Sequence, residues 1–330
     1  MNAFVHSKVP LIIFALLVST LLCNSCMKEG KSPKVLRIGE GRLAVHGGNI
    51  WYKISGTSKG LPVVLLHGGP GMSSHYFKPF EDLGDDRQVI RYDQLGGGKS
   101  DKITDTAMFT IEHFVRELDS LRGNFGVDKW HLLGHSWGTI LAVEYYKVYP
   151  EHVASLTLGS AALDMSAWEK NAKQLVTTLS DSAQRAIKSA EKSKKYNDPS
   201  YQNALNEFFG KYVCRHPVMA DVDSTMSTFN EMIYNYMQGP SEFTITGTLK
   251  NYDVTPFLKQ IKVPVLYTVG EFDEANPQII QRFMSLTPGA KMVVLKGAAH
   301  LTLWDAREEN VKVVREFLRS LDSLQLAERH

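Results

Sequence analysis

WHLLGHSWGTILAVEYYKVYP, residues 130–150, changes its period in the middle. WHLLG (130–134) is a short apolar run of strand length. TILAVEYYKVY (139–149) reads as a helix stopped by Pro150. Between them stands Gly134-His135-Ser136-Trp137-Gly138, a G-x-S-x-G pentapeptide in the strand–turn–helix setting that a nucleophile elbow demands. The glycines permit a tight turn that pushes the Ser136 hydroxyl clear of a sheet. The helix that follows offers its positive dipole end and unpaired N–H groups to a developing oxyanion. The pentapeptide alone is a weak signal, because Gly and Ser are common and a plain Gly-rich turn competes. Its flanking elements single out Ser136 as the nucleophile.

The same alternation extends outward. VLRIGEGRLAV and NIWYKIS flank Gly47-Gly48 and read as a hairpin. LPVVLL (61–66) and QVIRY (88–92) are continuous apolar runs, which suit parallel strands covered on both faces. Ile111, Phe114, Val115, Leu118 and Leu121 follow helical spacing behind Thr110 as N-cap, with Gly123 and Gly126 as stops. VASLTLG (153–159) is a further strand. Strand–helix alternation resumes with VPVLYTVG (263–270), QIIQRFMSL (278–286), KMVVLKG (291–297) and a helix near 305–323. The fold predicted is α/β, a mostly parallel sheet with helices on both faces.

Between these halves lie about 85 residues without strand-like runs. AWEKNAKQLVTTL, YQNALNEFFGKYV and MSTFNEMIYNYM read as amphipathic helices, and the Lys/Gln/Ser-rich 184–199 as a surface stretch. The core is therefore expected at 35–163 and 251–323, with a helical cap at 164–250 and a tail at 324–330.

The chain has 330 residues, 43% hydrophobic and 22% charged, with 37 Lys+Arg against 35 Asp+Glu. A net charge of +2 argues against a nucleic-acid binder, which concentrates basic surface. Three cysteines support neither a disulfide scaffold nor a Cys-rich zinc site. Residues 1–25 carry Lys8 before the apolar run Val9–Cys23, which is short for a bilayer span. They read as a secretory signal, with an uncleaved membrane anchor as the competing reading. Cys26, after Ser25 and before Met27-Lys28-Glu29, resembles a bacterial lipoprotein processing site. Lipidation there would place the protein in the bacterial cell envelope, facing periplasm or exterior. Residues 26–34 would be its tether, and Cys214 the remaining thiol.

A serine nucleophile needs a base, and the base an orienting acid. His300 follows strand KMVVL through a Gly-Ala-Ala loop, at the carboxyl edge of the sheet where ligands bind. Asp273 sits just past strand VPVLYTVG on the same edge, with an ordinary Asx turn as the alternative. Asp305 reads as a helix N-terminal carboxylate. The oxyanion donors expected are the amides of Trp137 and of Gly69, in the glycine-rich loop after LPVVLL. His67 stands before Ser136 in the chain and reads as a loop organiser.

HGGPG (67–71), YDQLGGGKSD (92–101), GHSWGT (134–139), GPSEFTITGTLKNYD (239–253), TVGEFDE (268–274) and AHLTLWDARE (299–308) occur in this order. Together they resemble the prolyl aminopeptidase (proline iminopeptidase) family of α/β-hydrolases, and its tricorn-interacting branch above all. The resemblance spans nearly the whole chain after Val35. It implies that Glu242 and Glu274 bind the substrate's free α-amino group and that the inserted helices cap the site. Charge-assisted hydrogen bonds from carboxylates suit that task, although surface glutamates are usually just solvated. Trp168, Tyr201, Phe208, Phe209, Tyr234 and Tyr236 are available to line a first-residue pocket. The function expected is a serine aminopeptidase acting on short peptides through an acyl-enzyme, without metal or organic cofactor. Nucleic acid is not a partner, and membrane contact is through the lipid anchor. An esterase or amidase with the same residues, and a non-catalytic peptide-binding lipoprotein, are the alternatives.

Overall fold

Strand pairing orders the pieces. The computed structural model describes residues 1, 35–57, 60–216 and 220–327. Eight strands form one sheet: β1 (Gly39–Val45), β2 (Gly48–Gly56), β3 (Val63–Leu66), β4 (Gln88–Asp93), β5 (Trp130–His135), β6 (Val153–Gly159), β7 (Val265–Gly270) and β8 (Lys291–Leu295). Their order is β1-β2-β4-β3-β5-β6-β7-β8. β1 and β2 are the hairpin at Gly47-Gly48, and β2 meets β4 antiparallel. The other pairings of the sheet are parallel. This is the mostly parallel α/β sheet expected from the apolar runs.

The centre of the sheet is set by burial. Val63, Val64, Leu65 and Leu66 are fully buried, which is worth roughly 6–12 kcal/mol gross for four such side chains. A run apolar at every position loses most of that on an edge, so β3 lies between β4 and β5. Helices α1 (Ile111–Phe125) and α2 (Trp137–Val148) flank the first half. Thr110 caps α1 by accepting from the His113 amide, and Gly126, left-handed at φ 62°, ends it. Gly123, read as a stop, lies inside the helix, where glycine costs only about 1 kcal/mol.

The insertion leaves after β6 and returns before β7. It contains α3 (Met165–Val176), α4 (Asp181–Ser193), α5 (Pro199–Phe208), a π-helical turn at Phe209–Val213, α6 (Ala220–Ser227) and α7 (Glu231–Met237). Its neck is closed by backbone bonds. The Met165 amide donates to Tyr252 (2.9 Å) and the Val254 amide to Leu163 (3.0 Å). MSTFNEMIYNYM, read as one helix, is two, because Asn230 caps α7 by accepting from the Met232 and Ile233 amides. Residues 184–199, read as a surface stretch, are largely α4, which buries a stripe of Ala183, Ile187 and Ala190. Alanine carries too little apolar area to mark that stripe in sequence.

After β7 come α8 (Pro277–Leu286), α9 (Thr302–Asp305) and α10 (Arg307–Ala327). The expected tail thus begins within α10. Residues 1–25, Cys26 and the tether lie, Met1 aside, outside the described residues. No helix among the described residues is long and apolar enough to cross a membrane.

Candidate active site

Ser136 sits at the junction of β5 and α2 with φ 54° and ψ −125°. That backbone is costly for an L-residue, at about 1–3 kcal/mol, and its surroundings hold it there. Its amide donates to Gly159 at 3.0 Å, and its carbonyl accepts from the Thr139 amide (2.8 Å) and hydroxyl (2.7 Å). Both motif glycines are sterically required. A Cβ on Gly134 would lie 2.3 Å from the Gly138 carbonyl oxygen, and one on Gly138 would lie 1.9 Å from that of Leu66.

His300 and Asp273 meet at the carboxyl edge, on the loops after β8 and β7. Nδ1 of His300 lies 2.8 Å from Asp273 Oδ1. A carboxylate only accepts, so Nδ1 carries a proton. Asp273 Oδ2 also accepts from the Ser160 hydroxyl (2.6 Å), and Oδ1 from the Ala275 amide (2.8 Å). Burial pushes the Asp273 carboxyl up, but the His300 charge and these donors outweigh it and hold it below the ordinary value. The result is an anion that fixes the imidazole through Nδ1.

The three glycine-rich motifs interlock around Ser136. His67 is fully buried. Its Nε2 accepts from the Gln94 amide (2.9 Å) and its Nδ1 faces the Gly68 carbonyl (2.8 Å). Both ring nitrogens are thus committed to loop structure. The Gln94 side chain accepts from the Trp137 indole at 2.8 Å and donates to the His67 carbonyl at 3.1 Å. This brings HGGPG against the elbow, where a Cβ on Gly68 would stand 3.2 Å from Ser136 Cβ. The Gly69 and Trp137 amides, the latter at the first residue of α2, make no backbone hydrogen bond among the described residues. Both remain available as donors.

Ser136, His300, Gly69, Glu242 and Glu274 line one cavity of about 300 Å³, roofed by the insertion. That is the lower end for ligand pockets. Glu274 is fully buried and neither carboxylate oxygen has a hydrogen-bond partner among the described residues. Burial first, then the charges of Glu242 and Asp273, push its pKa well above the ordinary value. Glu242 accepts from the Tyr234 hydroxyl and, at 3.3 Å, from the Gln238 amide group. Its pKa is raised, again chiefly by burial. Among the described residues the cavity wall holds no Lys or Arg to neutralise this pair. An unpaired buried carboxylate is costly, so neutralising the pair falls to a proton or to a cation from outside the wall.

Phe208, Phe209 and Tyr234 are in the wall, whereas Tyr201, Trp168 and Tyr236 are not. Tyr201 is core. Trp168 packs edge-on against the His300 ring, centroids 5.5 Å apart, and Tyr236 packs on Phe109. Among the described residues no group of three or more His, Cys, Asp and Glu is placed to hold a metal ion.

Residues 62–307 match the α/β hydrolase fold family. A proline iminopeptidase of Heyndrickxia coagulans is 39% identical over 86% of this chain and 99% of its own length. One of Saccharolobus solfataricus is 35% identical over 88% and 96%. The crystal structure of a proline iminopeptidase of Mycobacterium smegmatis superimposes with a TM-score of 0.80 at 30% identity, covering 87% of this chain and all of that one. The chain belongs to the proline iminopeptidase family of α/β-hydrolases.

In this proline iminopeptidase family member, several residues that build the site carry no motif of their own. Ser160, at φ 49°, donates to Asp273 from the end of β6. Its signal was its place just past a strand on the same sheet edge. Tyr76 joins two loops: its hydroxyl accepts from the Gly68 amide and lies 3.1 Å from His135 Nδ1. His135 Nε2 in turn donates to the His300 carbonyl at 2.9 Å. Burial pushes the His135 pKa down to about 3, so the ring is neutral and fixed in one tautomer.

Asp305 corrects a reading. It ends α9 rather than opening a helix, and its buried carboxylate accepts from the Arg215, His216 and Ala299 amides. It clasps the insertion to the His300 loop. Cys214, beside it, is buried, and burial together with the Asp305 charge raises its thiol to about 11.

Proposed function

We propose that the protein is a serine aminopeptidase that removes one N-terminal residue, proline or another small apolar one, from short peptides. The observation that carries this reading is Glu274, a buried carboxylate without a partner in the cavity that also holds Ser136 and His300. With Glu242 it suits a substrate's –NH3+ at a fixed distance from the scissile carbonyl. The names of the relatives agree with that choice.

Ser136 Oγ attacks the first carbonyl carbon while its proton passes to His300 Nε2, with Asp273 steadying the imidazolium. The oxyanion accepts from the Gly69 and Trp137 amides, aided by the N-terminus of α2. His300 then gives the proton to the departing amine. Water, deprotonated by the same nitrogen, releases the acyl group.

Ser136→Ala is expected to abolish turnover of aminoacyl-naphthylamides, and retained turnover would overturn the assignment. N-acetylation of the substrate removes a charged hydrogen-bonding group, so kcat/KM should fall about 30- to 1000-fold. An unchanged value would point to an esterase or amidase instead. Failure of a fluorophosphonate to label Ser136 would favour a non-catalytic binding lipoprotein. As part of the same reading, residues 1–25 are a lipoprotein signal and Cys26 carries the lipid that holds the protein in the cell envelope. Its support is the sequence around Cys26. Mass spectrometry of the N-terminus checks it: an unmodified Cys26 in purified membranes would exclude the anchor.

A further inference from the structure

Glu274 faces more than an incoming amine. Its Oε1 lies 3.9 Å from Nε2 of His300, the nitrogen that must receive the Ser136 proton in the function proposed above. The imidazole is therefore bracketed, with Asp273 at 2.8 Å from Nδ1 and Glu274 on the Nε2 side. Glu242 adds a third carboxylate from the cap, with the Tyr234 hydroxyl bound to it. From the elbow the ring meets His135, which burial keeps neutral, at a centroid distance of 4.7 Å. From α3 it meets Trp168, which carries no charge. Three carboxylates surround one imidazole, and among the described residues no Lys or Arg lines the cavity.

We infer that in the free enzyme the Glu274–Glu242 pair holds a proton on His300 Nε2, and that the substrate's ammonium group displaces it. That proton occupies the lone pair that Ser136 needs. When the ammonium enters, one positive charge replaces another and the proton leaves to solvent. No covalent bond to carbon changes in this step. The base then becomes available to Ser136 when a free N-terminus is bound. Acyl compounds without an amine meet an enzyme whose base is occupied, so selection acts on kcat as well as on KM.

The test uses a neutral fluorophosphonate, which reports Ser136 activation without supplying an amine. Its labelling rate is followed against pH with methylammonium chloride or matched sodium chloride. For the wild type, methylammonium should lower the midpoint of the acid limb by about one pH unit, which speeds labelling about fivefold one unit below the original midpoint. Glu274→Gln should show the lowered midpoint without methylammonium and respond to it little. Glu242→Gln gives an intermediate shift and serves if the first variant fails to fold. A wild-type midpoint unmoved by methylammonium at concentrations that inhibit peptide hydrolysis would overturn the inference, as would a Glu274→Gln midpoint equal to the wild type. Complete absence of labelling at every pH would overturn the nucleophile assignment itself, and the inference with it.

Discussion

Asp273 is buried, yet it is an anion because four donors converge on its two oxygens: His300 Nδ1, the Ser160 hydroxyl and the amides of Gly270 and Ala275. Ser160 is the donor whose loss leaves the backbone and the His300 contact in place. Ser160→Ala should lower kcat on aminoacyl-naphthylamides about 10- to 100-fold with KM nearly unchanged, since a hydrogen bond to a charged group contributes about 1.5–3 kcal/mol. Steady-state kinetics at saturating substrate reads this directly. A change confined to KM would show that Ser160 acts on substrate binding instead. The neutral His135, bonded to the His300 carbonyl, follows the same logic of fixing a functional group by its neighbours.

At the scale of elements, α2 and β3 approach so closely that side chains are excluded between them. A Cβ at Gly138 would lie 1.9 Å from the backbone oxygen of Leu66, which cannot move without displacing a central strand. Gly138→Ala is expected to cost at least about 3 kcal/mol. Gly123 in α1 is the contrast, exposed and with nothing within 4 Å of the added carbon. Gly123→Ala should stabilise by about 0.5–1 kcal/mol through helix propensity. Urea denaturation of the two variants separates crowding from propensity, and equal midpoints would contradict this packing. The π-helical turn is an element of a different kind. The Tyr212 carbonyl accepts from the amides of both Glu274 (3.3 Å) and His300 (3.1 Å). The cap thereby holds the two loops of the site in one frame.

For the molecule as a whole, buried titratable groups set the pH range of stability. Glu117 of α1 is buried, accepts from the Leu95 amide at 3.0 Å, and its other oxygen has no partner among the described residues. Burial raises its pKa from 4.5 to about 8. Between these values the native state keeps a proton that the unfolded chain loses, so stability falls as pH rises through the window, by roughly 5 kcal/mol in all. His131 and His135 act in the opposite sense. Burial takes each to about 3, the unfolded chain binds protons the native state refuses, and stability falls as pH drops below 6.5. Glu117→Gln should therefore gain on the wild type steadily from pH 5 to pH 8 in thermal unfolding. A difference independent of pH would mean that Glu117 is ionised in the native protein.

The sequence by itself determined the sheet, the elbow and the order of Ser136, Asp273 and His300, because apolar runs and glycine constraints act between near neighbours. Thr110 and Asn230 as caps are local in the same way, although Asn230 went unread inside an apparently continuous helical pattern. The family motifs further pointed to Glu242 and Glu274 as a pair. Tertiary structure alone decided that Glu274 is stripped of partners and stands 3.9 Å from the base nitrogen. It alone decided that Ser160, 113 residues from Asp273 in the chain, holds that carboxylate, and that Asp305 clasps the cap instead of starting a helix. The physical reason is common to all three. A carboxylate's state depends on which dipoles and charges lie within a few ångströms and on how much water is excluded, and for these groups both are set by segments that meet only when the sheet closes and the insertion folds back over its edge.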